Sequence, residues 1–138
     1  MKRLVLLVMV IFFLIPPIQV NAKNEMGGDT DLIKMRATAY CIEGKTYSGK
    51  HTRKGIAAAS KEYIGKTALV YQRLPGDKVG ELIGIYEVED TGGTEGLTSG
   101  VVIDIWCPDL DACQEFMNRV YEEGCQGRVW VEMVEAVG

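Results

Sequence analysis

The feature that most restricts this chain is its rhythm between residues 35 and 134. Six short runs, Met35–Cys41, Gly55–Ala59, Thr67–Tyr71, Glu81–Val88, Val101–Trp106 and Arg128–Val134, are apolar or alternating and are bounded by Gly, Pro, Asp or Ser. One segment has a different period. Asp109–Glu123 sets Leu110, Cys113, Phe116, Met117, Val120 and Tyr121 at intervals of three and four, with acids at its start and Gly124 as a stop. The spacing predicts an amphipathic helix. Six strands and one helix within residues 35–138 predict a mainly β domain, a small closed six-stranded barrel with one α-helix in its C-terminal half. Closure removes the exposed edges that so small a sheet could not otherwise protect.

The N-terminus reads differently. Lys2 and Arg3 precede an unbroken apolar run, Leu4–Ile15, then Pro16-Pro17 and the small-residue sequence Val20-Asn21-Ala22. The run is shorter than the roughly 20 residues that span a bilayer, so residues 1–22 are expected to be a signal peptide cleaved after Ala22. The alternative is an uncleaved anchor, the only membrane contact anticipated. Residues 23–34 mix Gly with charge and read as a linker, leaving 35–138 as the domain, secreted or otherwise extracytoplasmic. Loss of Lys2 and Arg3 takes the net charge from −4 to −6. An acidic chain without a Lys/Arg cluster argues against nucleic acid as a partner.

All four cysteines, Cys41, Cys107, Cys113 and Cys125, follow the export segment, where disulfides can form. A helix of about 22 Å separates Cys107 from Cys125, too far for a bond that needs Cα atoms within about 7 Å, and Cys113 to Cys125 is strained for the same reason. Cys107–Cys113 and Cys41–Cys125 remain as pairings, with four free thiols as the alternative. His51 stands alone and no CxxC spacing occurs, so neither metal nor cofactor is expected.

The chemistry then falls to carboxylates. Asp90 closes the run Ile83–Glu89 and opens Asp-Thr-Gly-Gly, a turn whose glycines let a ligand approach the backbone, although an ordinary Asx turn reads the same way. Asp104 lies in Val101-Val102-Ile103-Asp104-Ile105-Trp106, otherwise apolar on both faces. Dehydration there pushes a carboxyl pKa upward, toward a group that holds and delivers a proton at neutral pH. The alternative is a structural aspartate bonded to backbone amides.

Arg36-Ala37-Thr38-Ala39-Tyr40-Cys41, then Thr46, Ser48 and Gly49, Arg53–Ala59, Tyr63–Lys66, Glu89-Asp90-Thr91-Gly92-Gly93 and Ile103–Trp106 follow one another in an order that resembles the three-aspartate (3D) domain family. These are double-psi β-barrels related to rare lipoprotein A and to the catalytic part of membrane-bound lytic transglycosylase A. The resemblance spans about residues 36–106. It implies a double-psi β-barrel that cleaves peptidoglycan between N-acetylmuramic acid and N-acetylglucosamine, giving 1,6-anhydro products, as a monomer without cofactor. It implies that Asp104 is the catalytic acid and base and Asp90 its assistant, with Tyr40, Thr46, Gly49, Thr91, Gly92, Gly93 and Trp106 against the glycan. Two positions depart from the family: Ser60 stands where an aspartate is usual, and the Asp90-to-Asp104 interval is a few residues longer.

Those departures define the rivals, a non-catalytic peptidoglycan-binding barrel and a secreted, disulfide-stapled interaction module. Tyr71 and Tyr86 could also stack on sugars or point into the core, and Trp130 reads as core packing. Lys50, His51, Arg53 and Lys54 could meet wall carboxylates or form a solvated loop. Asp109 and Asp111 read as capping residues, and Glu122, Glu123 and Glu135 as surface.

Overall fold

The computed structural model describes residues 31–136, so the expected signal peptide and most of the expected linker lie outside the described residues. Six strands form: β1 (Leu32–Tyr40), β2 (Ile56–Ala58), β3 (Lys66–Leu74), β4 (Lys78–Asp90), β5 (Val102–Trp106) and β6 (Arg128–Glu135). They close into a barrel in the order β1-β5-β2-β4-β3-β6. The β1/β5 and β2/β4 pairs are parallel and the other four antiparallel. Because β5 lies between β1 and β2, and β2 between β4 and β5, the links 41–55 and 91–101 must each step over a strand. Strand direction puts the two links at opposite ends of the barrel, each crossing one strand.

Period-2 alternation decides which side chains fill the barrel. Met35 and Ala37 of β1, Ala57 of β2, Ala68 and Val70 of β3, Ile83 and Val88 of β4, Ile103 and Ile105 of β5, and Val129 and Val131 of β6 are buried together. β1 begins earlier than expected: Leu32, Ile33 and Lys34 pair with Glu132, Val131 and Trp130, so the last residues assigned to the linker belong to the barrel.

Two α-helices complete the fold, a single turn α1 (Glu95–Thr98) inside the 91–101 link and α2 (Leu110–Tyr121). Asp109 caps α2, its side chain accepting from the Ala112 N–H at 2.8 Å. Ala112, Cys113, Phe116, Met117 and Val120 bring the apolar stripe of α2 onto the core. The helix stops two residues short of the expected Glu123, because Glu122 is already extended (φ −60°, ψ 156°), and Glu123 and Gly124 beyond it are left-handed (φ 51° and 76°). Trp130, expected in the core, instead faces outward beneath Lys34 and Arg73, with its indole N–H donating to the Asp77 carbonyl at 3.1 Å. Its neighbours Val129 and Val131 are the inward pair, so alternation turns Trp130 out.

Candidate active site

The site is a row of side chains across four strands. Thr38 of β1 pairs with Asp104 of β5, Asp104 with Ala58 of β2, and Ala58 with Asp90 of β4. Partners in register share a face, and the neighbours Ile103 and Ile105 point inward, so this row lies on the outside of the barrel. Two strand spacings, about 10 Å of backbone, separate Asp104 from Asp90. Ala58 is the residue of the row between them, and the Tyr40 phenol feels the charge of both.

A β-bulge puts Asp90 in that row. Ala57 pairs with Val88 and Ala58 with Asp90, leaving Glu89 as the extra residue. Without the bulge, strict alternation from Val88 would turn Asp90 inward, so the inserted residue re-aims it. Glu89 is itself 5% exposed, and the crossing link supplies its partners. Arg53 donates through both terminal nitrogens, Lys50 donates at 3.2 Å, and the Ser48 N–H donates to the Glu89 carbonyl at 3.0 Å. Arg53 also binds Glu87 at 2.8 Å. Within the basic run, Lys50 and Arg53 are therefore engaged by Glu89 and Glu87 while their side chains stay partly exposed.

Arg53, then Lys50, hold the Glu89 carboxyl below its ordinary 4.5. A depressed carboxylate contributes stability that is present above its ordinary pKa and is lost as pH falls through the lowered value. Arg53→Ala should therefore destabilise the domain by about 1 to 2 kcal/mol at pH 7, moderated because Arg53 is partly solvated and Lys50 remains. Urea unfolding of both proteins should show the difference at pH 7 and its disappearance near pH 2; an equal difference at both would exclude the ion pair as its source.

The two aspartates have unlike surroundings. Asp90 accepts from the Tyr47 N–H at 3.0 Å, from the Thr91 N–H at 2.9 Å and from the Tyr40 hydroxyl at 3.4 Å. The Asp104 carboxyl is raised above its ordinary value, first by burial and then by the charge of Asp90, with a hydrogen bond from Thr38 pulling the other way. Its Oδ1 is buried without a hydrogen-bond partner. Burial, then both aspartates, raise the Tyr40 phenol and keep it a donor.

The other expected ligand-binding residues divide. Thr91 serves Asp90 through its backbone, Gly93 is open, and a Cβ at Gly92 would sit 2.6 Å from Leu97, so that turn is tightly seated on α1. Thr46 is buried, bound to Ser48 and to the Lys50 carbonyl, and Gly49 (φ 87°) makes the turn that follows; both shape the link. Trp106 is buried and donates to the Ile42 carbonyl at 2.9 Å, holding the link down. It also lines a cleft of about 480 Å³ with Tyr86, Cys107 and Phe116, flanked by Lys54, Glu115 and Arg119, which neither aspartate lines. Tyr86 meets Phe116 edge to face there, at 6.5 Å.

All four cysteines are free thiols, so neither expected disulfide is formed. The Cys41–Cys125 pairing is also misplaced: Cys125 is fully buried near Glu122, Glu123 and Arg128, while Cys41 lies with Cys107 and Cys113. Sequence reasoning missed Tyr47, 60% exposed beside Asp90 with Lys61 over its ring at 5.5 Å. It also missed Thr38, which the alternation of β1 places on the face of Tyr40. Comparison of the chain with models of known families, with curated proteins and with solved structures finds no match.

Proposed function

We propose that this chain is an exported, peptidoglycan-cleaving barrel of the double-psi type, a lytic transglycosylase with Asp104 as acid and then base. The observation that carries the reading is the outward row Thr38, Asp104, Ala58, Asp90, in which a carboxyl with a raised pKa and an unpartnered oxygen faces a second, hydrogen-bonded carboxylate. The crossing links over β5 and β2 support the barrel type. The apolar run after Lys2 and Arg3 supports export.

In this reading Asp104 gives its proton to the oxygen leaving C1 of N-acetylmuramic acid. Asp90 steadies the oxocarbenium-like charge, and the Asp104 carboxylate takes the proton of the sugar's own 6-hydroxyl as its oxygen closes on C1. The step requires no attacking water between the carboxylates, unlike that of the hydrolases that use a pair. Tyr47, exposed at the rim, offers a ring face for a sugar.

The test is to incubate purified protein with intact peptidoglycan and to analyse the soluble fragments by mass spectrometry. Release of 1,6-anhydro-muropeptides by the protein and not by Asp104→Ala is expected. One observation favours a second reading, a non-catalytic wall-binding barrel: the aromatic-lined cleft beside Trp106 excludes both aspartates. Sedimentation with the wall and no released fragments would select it.

A further inference from the structure

Three of the four thiols meet at one end of the barrel. β1 and β5 run parallel with Tyr40 opposite Trp106, and the Cys107 N–H donates to the Tyr40 carbonyl at 2.8 Å, so Cys41 and Cys107 leave the two strands side by side. Cys113, in the first turns of α2, packs against the core cluster that contains Cys107. The three thiols lie close enough to influence one another's ionisation. These side chains do not form a set that could hold a metal ion. What they can do is exchange disulfides.

We propose that the cluster is a redox-modification site in which Cys113 bonds to Cys41 on oxidation by a small or protein disulfide, with Cys107 as the reserve thiol that keeps the bond exchangeable. Access chooses the first pair: Cys41 and Cys113 are half-buried, whereas Cys107 is 6% exposed. Burial raises the Cys113 thiol as well, but Cys107 is pushed further, up to about 12, so Cys107 is the slower of the two to attack and exchanges only after the first bond has formed.

The chemistry balances with one external disulfide. The Cys113 thiolate attacks one of its sulfurs and releases a thiolate, and the Cys41 thiolate then attacks the Cys113 sulfur of the mixed disulfide and releases the second. The two cysteines lose two electrons, the external disulfide gains them, and its two released thiolates take up the two protons. Attack of Cys107 on the Cys113 sulfur moves the bond to Cys107–Cys113 and frees Cys41 with no net oxidation. The Cys41–Cys113 bond would clamp α2 to the segment that follows Tyr40. This assignment does not depend on any reaction with glycans.

The test is to treat the reduced protein with glutathione disulfide, block remaining thiols with iodoacetamide under denaturing conditions, and map links by mass spectrometry. Digestion with trypsin and an Asp-N protease, which cuts before Asp109 and Asp111, parts Cys107 from Cys113. The expected result is one intramolecular link, Cys41 to Cys113, with Cys107 and Cys125 alkylated and a melting temperature raised by about 5 °C or more over the reduced protein. Cys41→Ser should shift the link to Cys107–Cys113, and Cys107→Ser should leave Cys41–Cys113 intact. Cys113→Ser, shown to be folded by circular dichroism, should form none. A link that includes Cys125, a link that survives in folded Cys113→Ser, or no intramolecular link in the unmodified protein would overturn the proposal.

Discussion

Asp104→Asn should lower the release of 1,6-anhydro fragments by about 1,000-fold while making the folded domain more stable at neutral pH. The first effect follows from the proposed role, since Asn keeps the shape of Asp but can neither give nor take the proton, and a positioned acid and base contributes about 10²- to 10⁴-fold. The second follows from burial. The raised carboxyl of Asp104 marks a group whose charged form is disfavoured in the folded state. Its contribution to stability is fully present below the ordinary value of 3.8 and is lost as pH rises through the raised one. Asn does not ionise, so the two proteins should unfold at similar urea concentrations near pH 3, with the Asp104→Asn variant ahead by up to about 1 kcal/mol at pH 7 after solvent screening. An inactive variant whose advantage over the unmodified protein is no larger at pH 7 than at pH 3 would remove the dehydrated acid from the argument. An active, more stable variant would make Asp104 a merely buried carboxylate and leave the wall-binding reading.

How much of this is legible in the sequence depends on the range of the interaction. The six strands are readable because alternation is local: Met35 and Ala37, or Ile103 and Ile105, announce an inward face two residues apart. Asp104 is readable as a carboxyl among apolar residues on such a strand. The helix announces itself through its 3.6-residue stripe and the cap at Asp109. The bulge at Glu89 is not readable, because it is defined by β2, some thirty residues earlier, and by the Arg53 and Lys50 partners that make a buried extra carboxylate tolerable. Two consecutive acids at the end of a strand are its only trace. The basic run looks like a wall-facing loop for the same reason, since its partner lies across a crossing link. Trp130 reads as core only while size is weighed above parity. The thiols mislead because their separation along the helix takes no account of the β1/β5 pairing that brings Cys41 to Cys107.

Ile103→Ala should have the largest effect on stability, about 4 kcal/mol, although it stands one residue from Asp104. Ile103 is 0% exposed and points into the barrel opposite Ala37, and the neighbouring β2 contributes Ala57 at the next inward position. Small residues on both flanking strands mean that the long side chains of β5 fill the space, and alanines cannot reach across to close a void. A barrel tied by hydrogen bonds around its whole circumference also collapses little. Both facts place the substitution in the upper part of the range for Ile truncated to Ala, while Ile103→Val, which keeps most of the volume, should lose about 1 kcal/mol. Urea unfolding with an unchanged slope checks this, and a loss below about 1.5 kcal/mol for Ala would show that the barrel relaxes around the void. A domain of this size has about 5 to 15 kcal/mol in all, so Ile103→Ala is expected to remain folded but near the margin. The molecules that are folded should still release fragments at the unmodified rate, because nothing on the outer row has changed. Adjacent residues of β5 thus separate the two properties: the inward side chain sets how much protein is folded, and the outward one sets what the folded protein can do.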